Sequence, residues 1–396
     1  MRRRTMVPAA AATLLIALSG CAGGDGGADG GGETTGGGGL VGTGSGETCE
    51  IEDPVPVGAV LSLTGAAAHY GESQRNALEL AAQQLNERGG VTYELTVEDD
   101  QTDPRQGITV FEQFASQDDV SVIIGPTLSN TAMQTNPVAQ EEGVPVLGIS
   151  NTAAGITDIG DYIFRDSLTE DAVIPQTVAK AKEVLGLEKV VVMYSNDDAF
   201  TESGYDAFAA ALEDNGIEIA ETITFSKSDT DFRALLTQAR EHDPDAIVVS
   251  ALIEAAIPLV TQAREMGIDV PIIGGNGFNS PALMEGAGEA AEGVVVGAAW
   301  NSASDNPLNQ EFIAAYSEEY GSPPDQFAAQ AYAGLNLIDT AVRAGCSGER
   351  DDIKEQLGQL KDVPTVLGDF SITETRDADH PAVVQIVENG EFAVLN

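Results

Sequence analysis

Short apolar runs alternate along the chain with longer segments whose apolar positions recur every three or four residues. The runs have the length and Val/Ile content of buried strands, and the periodic segments are typical of amphipathic helices. The predicted strands lie at 57–63, 93–97, 120–124 and 144–149, and again at 189–194, 217–225, 246–250, 270–273 and 293–297. The predicted helices lie at 71–90, from Pro104 onward, and at 130–142, 203–215, 231–242 and 255–266. Two such series predict an α/β fold with two lobes, each built on a parallel sheet.

The two series resemble each other in sequence. A shift of 126 residues places Val120-Ser-Val-Ile-Ile on Ala246-Ile-Val-Val-Ser. The same shift places Val144-Pro-Val-Leu-Gly on Val270-Pro-Ile-Ile-Gly, and no gap is needed between the two matches. We therefore interpret the lobes as copies of one fold.

The repeat also predicts where a ligand binds, because ligands of open parallel sheets bind outside the carboxyl ends of the strands. The loops expected to line one cleft are 65–70, 125–129, 150, 196–201, 251–255 and 276. The polar residues concentrated there are Thr127, Ser129, Asn130, Ser150, Asn151 and Thr152. Hydroxyls and free N–H groups at helix starts bind anions without a basic side chain, which suits a carboxylate. The alternative is that Ser129, Asn130 and Thr152 only cap helices.

The first residues predict an exported protein. Arg2, Arg3 and Arg4 precede an apolar stretch at 7–18 that is too short to span a bilayer. Leu18-Ser-Gly-Cys21 then predicts a lipoprotein signal peptide at 1–20, with Cys21 carrying the lipid. The alternative is an ordinary signal peptide with an incidental cysteine. The Gly-rich segment 21–48 has little apolar surface to bury, so we expect a flexible tether to the membrane face.

Charge and cysteine content exclude several kinds of site. The formal net charge is −44, so phosphate backbones are repelled and no nucleic-acid partner is expected. If Cys21 is lipidated, Cys49 and Cys346 remain, either as a disulfide or as two free thiols. No Cys-x-x-Cys motif and no Cys/His cluster supports a metal site. No nucleophile elbow, phosphate-binding loop or His-Glu-x-x-His motif is present, so we expect neither an enzyme nor a cofactor.

An ordered set of motifs extends over about residues 55–390. The set begins with Leu61-Ser-Leu-Thr-Gly-Ala-Ala-Ala-His-Tyr-Gly-Glu. It continues with Asn86-Glu-Arg-Gly-Gly, Val97-Glu-Asp-Asp-Gln-Thr-Asp-Pro, Ile124-Gly-Pro, Gly143-Val-Pro-Val, Asp229-Thr-Asp-Phe, Gln262-Ala-Arg-Glu-Met-Gly, Ala291-Glu-Gly-Val and Glu319-Tyr-Gly. Taken together, these motifs resemble the type I periplasmic binding proteins of ABC transporters, in particular the Leu/Ile/Val-binding group.

The resemblance implies two Rossmann-like lobes joined by three hinge crossovers, near Leu168, Trp300 and Thr365. Lobe 1 then comprises 50–167 and 301–365, and lobe 2 comprises 168–300 and 366–396. It also implies a monomer that captures an amino acid of the branched-chain type, or a related small carboxylate or amide, for an ABC permease in the membrane. The alternative is a ligand-sensing receptor or regulator domain of the same fold.

The resemblance also assigns the binding residues. Leu128, Ser129, Ser150, Asn151 and Thr152 correspond to the loops that hold the ligand's carboxylate and ammonium. Tyr70 and Phe200 correspond to aromatic cleft positions. Asn276 stands where the Leu/Ile/Val binders carry an acid, so an ammonium lacks its usual partner there; Glu254, in the neighbouring loop, is the expected substitute.

Overall fold

The computed structural model describes residues 39–396. The predicted signal peptide, Cys21 and the first part of the predicted tether lie outside these residues. The segment 39–48 packs on the domain: the Gly42 N–H donates to the Cys346 carbonyl, and Thr43 and Glu50 exchange two backbone hydrogen bonds of 2.9 Å. We therefore limit the proposed tether to residues that precede 39. No helix of the described part combines the length and the apolar character that crossing a membrane requires.

Strands and helices alternate as the apolar pattern predicts. The strands are β1 (Val55–Leu61), β2 (Tyr93–Asp99), β3 (Val122–Ile124), β4 (Val146–Gly148), β5 (Ile163–Arg165), β6 (Lys189–Ser195), β7 (Glu218–Phe225), β8 (Ala246–Ser250), β9 (Ile272–Gly274), β10 (Val295–Ala298), β11 (Val363–Thr365), β12 (Gly368–Ile372), β13 (Ala378–Asp379), β14 (Val383–Glu388) and β15 (Glu391–Val394). The helices are α1 (Ala68–Arg88), α2 (Pro104–Ser116), α3 (Ser129–Glu142), α4 (Glu170–Leu185), α5 (Ala199–Asp214), α6 (Arg233–Glu241), α7 (Ile253–Glu265), α8 (Ala282–Ala287), α9 (Pro307–Tyr320), α10 (Gln326–Gly345) and α11 (Arg350–Leu357).

Each lobe is built on its own sheet. The first lobe has the order β2-β1-β3-β4-β5, with every pair parallel. The second has the order β15-β14-β10-β9-β8-β6-β7, in which β6 to β10 are parallel and β14 and β15 are antiparallel additions. The central strands are buried on both faces, which is why they are continuous Val/Ile runs. The predicted α/β class with two parallel-sheet lobes is confirmed.

The internal repeat is also present in three dimensions. Adding 126 to the bounds of β4 (146–148) gives 272–274, which are the bounds of β9. Adding 126 to the bounds of β3 gives 248–250, the last part of β8. The helices between them, α3 and α7, start at 129 and 253, within two residues of the same shift. The corresponding strands therefore end at corresponding places in the two lobes.

The chain passes between the two lobes three times. It leaves the first sheet after β5, returns to the first lobe after β10, where α9, α10 and α11 pack in the same core as β1, and rejoins the second sheet at β14. Before that last passage, β11, β12 and β13 form a small antiparallel sheet of their own. Phe370 and Ala378 of this sheet pack in the same core as α1 and α10. We therefore propose that the third crossover lies nearer Pro381 than Thr365.

A disulfide joins Cys49 to Cys346. Cys346 ends α10, and Cys49 lies just before β1, so the bond ties the start of the described domain to its longest late helix. Both side chains are buried in the core of the first lobe. Of the two possibilities that the sequence leaves for this pair, the structure has the disulfide.

Candidate ligand-binding site

The carboxyl ends of the two sheets meet at a small cavity between the lobes. Its lining residues are Tyr70, Thr127, Leu128, Ser129, Ser150 and Thr152 from the first lobe, Phe200, Leu252, Asn276 and Gly277 from the second, and Phe327 from α10. The cavity measures about 30 Å³, room for a few water molecules. Direct contacts between the lobes surround it, so the structure shows a closed arrangement.

Helix α3 begins at the cavity. The first N–H groups of any α-helix have no acceptor within the helix, and they form the positive end of the helix dipole. At the start of α3 the N-cap residue is Leu128, whose side chain cannot accept a hydrogen bond, so no N-cap side chain satisfies these N–H groups. Ser129 Oγ accepts a hydrogen bond from the Ala153 N–H at 3.3 Å, so its own hydrogen remains available to a ligand. This end of the cavity suits a carboxylate.

The other hydroxyls on this side already have acceptors. Thr127 Oγ1 donates to Gln74 Oε1 at 2.7 Å, and Ser150 Oγ donates to the Thr127 carbonyl at 2.7 Å. Gln74 Nε2 in turn donates to Ser150 Oγ at 2.6 Å. This buried network fixes the loops after β3 and β4 relative to α1. It also leaves Ser129 as the hydroxyl of these three whose hydrogen is free.

Tyr70 links the two lobes beside the cavity. Its hydroxyl donates to the Gly277 carbonyl at 3.0 Å and accepts from the Ile253 N–H at 2.8 Å, both in the second lobe. Its ring packs on Phe327, with 4.3 Å between the ring centroids. Burial, reinforced by the charge of Glu254, raises the pKa of the Tyr70 hydroxyl well above its usual value. Tyr70 is therefore a neutral hydrogen-bonding partner and not a base.

The opposite wall is apolar. Phe200, Leu252 and Phe327 face the cavity, and both rings are almost fully buried. Gly277 also lies on this wall. A larger residue would not fit there, because a Cβ would lie 2.4 Å from the Ala251 carbonyl oxygen and 3.1 Å from the Phe200 ring. Such a wall suits the hydrocarbon part of a small ligand.

A buried carboxylate lies behind the polar end of the cavity. Glu170, in the first turn of α4, is 2% exposed. Its Oε1 accepts from Thr152 Oγ1 at 2.8 Å and from Asn276 Nδ2 at 2.9 Å, and both donors line the cavity. Burial raises the pKa of Glu170 to about 7, against the lowering effect of these two hydrogen bonds. Thr152 and Glu170 belong to different lobes, so this contact also joins them.

The structure brings together seven of the nine binding residues that the sequence predicts. They are Tyr70, Leu128, Ser129, Ser150, Thr152, Phe200 and Asn276. Asn151 does not line the cavity: its Nδ2 donates to the Pro126 carbonyl at 2.8 Å, and its own carbonyl accepts from Arg165. Asn151 therefore supports the loop from behind.

Glu254 does not line the cavity either. It lies in a separate groove of about 320 Å³ between the lobes, whose lining also includes Thr102 and Lys227. Leu128 and Leu252 line both spaces and separate them. Burial raises the pKa of Glu254 to about 7. The substitute acid expected from the sequence therefore points away from the site.

Three lining residues and Glu170 were missed by the sequence analysis. Leu252 lies inside a predicted cleft loop and Gly277 adjoins one, but neither has a polar side chain to single it out. Phe327 belongs to α10, outside the repeat. Glu170 follows Thr169, whose hydroxyl caps α4, so the pair has the pattern of an ordinary helix start.

Within residues 39–396, no group of three or more His, Cys, Asp or Glu side chains is arranged to hold a metal ion. The cavity also lacks a lining histidine, cysteine or carboxylate among the described residues. The arrangement is that of a binding site with a polar end and an apolar wall.

Comparison with known proteins agrees with this arrangement. Residues 54–391 match the family described as Periplasmic binding protein. The Leu/Ile/Val-binding protein BraC3 of Rhizobium johnstonii is 26% identical over 332 residues, which is 82% of this chain and 88% of that protein.

Two solved structures extend the comparison. The branched-chain amino acid transporter substrate binding protein LivJ of Streptococcus pneumoniae, in complex with isoleucine, has a TM-score of 0.81 and 28% identity, covering 86% of this chain and 98% of that one. A solute binding protein of an ABC transporter from Rhodopseudomonas palustris, in complex with 3,4-dihydroxybenzoic acid, has a TM-score of 0.79 and 27% identity, covering 86% and 95%. This chain belongs to the periplasmic binding protein family, in the type I group that includes the Leu/Ile/Val-binding proteins.

Proposed function

We propose that the protein captures an amino acid of the branched-chain type in the interlobe cavity and delivers it to an ABC permease. The observation that carries the proposal is the pairing of the uncapped N-terminus of α3 with an apolar wall across one closed cavity. The helix end and the Ser129 hydroxyl offer donors to a carboxylate, and Phe200, Leu252 and Phe327 offer a surface to a short aliphatic side chain.

Binding requires the lobes to separate, because direct hydrogen bonds between them surround the cavity. The ligand therefore enters an open form, and the lobes then close on it. Ligand contacts to both lobes exist only after closure, so ligand shifts the population toward the closed form. The closed form is the one that we propose the permease recognises.

We also propose that the protein acts at the outer face of the membrane as a monomer anchored through Cys21. The support is the apolar stretch at 7–18 ending in Leu18-Ser-Gly-Cys21, together with membership of a periplasmic family. A Cys21→Ser variant should leave the membrane fraction for the soluble fraction. Retention of this variant on the membrane would contradict the lipid anchor.

A thermal-shift series tests the ligand. The panel holds the twenty amino acids, short amides, urea, and aliphatic and aromatic carboxylates, each with the purified protein. A ligand at 100 times its Kd stabilises the folded state by about 2.7 kcal/mol, which raises Tm by several degrees. We expect leucine, isoleucine or valine to respond, and mass spectrometry to recover the ligand unchanged. A response confined to benzoates or other ammonium-free compounds would overturn the amino acid assignment and leave the binding role intact.

A further inference from the structure

We propose that Glu170 is the acid that selects an ammonium-bearing ligand in this chain, in place of the acid that Asn276 lacks. This inference rests on the proposed function. Its basis is the hydrogen bonding of one carboxylate oxygen to two cavity-lining side chains, Thr152 and Asn276.

Thr152 presents a hydrogen-bond acceptor to a ligand in the cavity. Its hydroxyl has one hydrogen, and that hydrogen is donated to Glu170 Oε1 at 2.8 Å. The side of Oγ1 that faces the cavity is therefore an acceptor. A ligand group that meets Thr152 must donate, as an ammonium does and a carboxylate does not.

Asn276 is held by hydrogen bonds at both ends of its side-chain amide. Its Nδ2 donates to Glu170 at 2.9 Å, and its Oδ1 accepts from Gln326 Nε2 at 3.3 Å. These bonds fix the orientation of the amide, with Glu170 directly behind it. In its ionised form, Glu170 places a buried negative charge one side chain away from the cavity, which attracts a ligand cation.

The donor groups and the acceptor group at the polar end of the cavity lie close together. Thr152 and Ser129 are neighbours, because the Ala153 N–H donates to Ser129 Oγ at 3.3 Å. The donor-rich start of α3 and the acceptor side of Thr152 therefore lie next to each other. The carboxylate and ammonium of an α-amino acid are likewise attached to one carbon. The arrangement of donors and acceptor in the cavity is thus complementary to the carboxylate and ammonium of an α-amino acid.

The test compares leucine with 4-methylpentanoate, which lacks only the ammonium, by calorimetry on the wild type and on Glu170→Gln. We expect Glu170→Gln to weaken leucine binding by about 10- to 100-fold, the range for a lost charged hydrogen-bond partner, and to leave 4-methylpentanoate within about twofold. Glu183→Gln is the matched control, since it makes the same replacement at an exposed position near the other end of α4 and should change neither affinity.

The outcomes separate this inference from the proposed function. Equal loss of both ligands in Glu170→Gln would mean that Glu170 only supports the fold, and no loss would mean that it has no role; either overturns the inference while leaving the function intact. If the wild type does not bind leucine but binds 4-methylpentanoate, both the inference and the proposed function are wrong.

The double variant Glu170→Gln, Asn276→Asp places the acid at the other end of the same hydrogen bond, and we expect it to recover leucine affinity.

A second measurement needs no variant. The charged groups that act on Glu170 are Arg165, which favours its ionised form, and Asp171, which opposes it. The ammonium of leucine favours the ionised form of Glu170, so binding at pH 6.5 should release part of a proton. This release is measured as a dependence of the binding enthalpy on the ionisation enthalpy of the buffer. Binding of 4-methylpentanoate should release a smaller fraction of a proton, because this ligand has no ammonium. Equal release by both ligands would contradict the inference.

Discussion

At the scale of single residues, Ser129 and Glu170 give the polar end of the cavity a donor side and an acceptor side. Ser129 accepts from a backbone N–H and keeps its hydrogen for the ligand, whereas Thr152 donates its hydrogen to Glu170 and keeps an acceptor. Two side chains of the same chemical type therefore present opposite polarity. The difference is set by what lies behind each hydroxyl and not by the hydroxyl itself.

Ser129→Ala should weaken every carboxylate ligand, with or without an ammonium. A hydrogen bond to a charged group contributes about 1.5–3 kcal/mol, so leucine and 4-methylpentanoate should each lose about tenfold or more in affinity. Isothermal calorimetry checks this. Ser116→Ala is the control, because that hydroxyl donates to the Glu112 carbonyl on α2, away from the cavity. A loss confined to leucine would show that Ser129 does not hold the carboxylate.

Glu170 also gives the ligand-free protein a pH-dependent stability. Its pKa is about 7 in the folded state and 4.5 in the ordinary reference. The folded protein therefore binds this proton more tightly than the unfolded chain, and the contribution to stability is present below pH 4.5 and lost as the pH rises through 7. Relative to Glu170→Gln, the wild type should lose up to about 3 kcal/mol of unfolding free energy over this range. Urea denaturation of both proteins at several pH values measures the difference, and parallel pH profiles would contradict the assignment.

The sequence predicts the loops of the site better than the side chains within them. The carboxyl ends of parallel strands meet by the geometry of the fold, so Ser129, Ser150 and Asn276 could be found from the repeat alone. Asn151 lies between two lining residues but turns into the protein to bond Pro126. Such a direction depends on the backbone dihedrals of one loop, for which the sequence contains no periodic signal.

At the scale of elements, the repeated strand-helix-strand units were predictable and the last third of the chain was not. The pattern assigns no element beyond 297, yet α10 supplies Phe327 to the cavity. This helix is buried around most of its circumference, so its sequence lacks the polar face that makes an amphipathic helix recognisable. Its contribution comes from tertiary packing against α1 and not from local pattern.

The disulfide between Cys49 and Cys346 should contribute a large share of the free energy of unfolding of the first lobe. It closes a loop with a sequence separation of 297 residues and lies in a core that α1 and α10 share. Removing a native disulfide costs about 2–5 kcal/mol, more for longer loops in the chain-entropy account. The Cys49→Ser, Cys346→Ser double variant should therefore unfold at a lower denaturant concentration than the wild type. A reductant should lower the midpoint concentration of the wild type to that of the double variant. A midpoint unaffected by reductant in the wild type would show that the bond contributes little.

At the scale of the whole molecule, a few polar contacts hold the lobes together across the cleft. Asn130 of α3 donates to Asp198 and accepts from the Ala199 N–H, both at the start of α5. Ser203 accepts from the Ala154 N–H at 2.9 Å. Each of these groups can bond water when the lobes separate, so the contacts cost little to break. The balance between open and closed forms is therefore open to control by a ligand that adds its own contacts to both sides.

Tyr70→Phe tests that balance, because the hydroxyl joins the lobes through Gly277 and Ile253 and has no free hydrogen for a ligand. Losing these two hydrogen bonds should disfavour closure by about 1–2 kcal/mol, which lowers ligand affinity about tenfold. Small-angle scattering should then show a larger radius of gyration for the ligand-free variant than for the wild type, with saturating leucine restoring compaction. Tyr320→Phe is the control, since its hydroxyl donates to Asn76 within the first lobe. If Tyr70→Phe lowered affinity without changing the radius of gyration, Tyr70 would act on the ligand directly, and closure of the lobes would have to rest on other contacts.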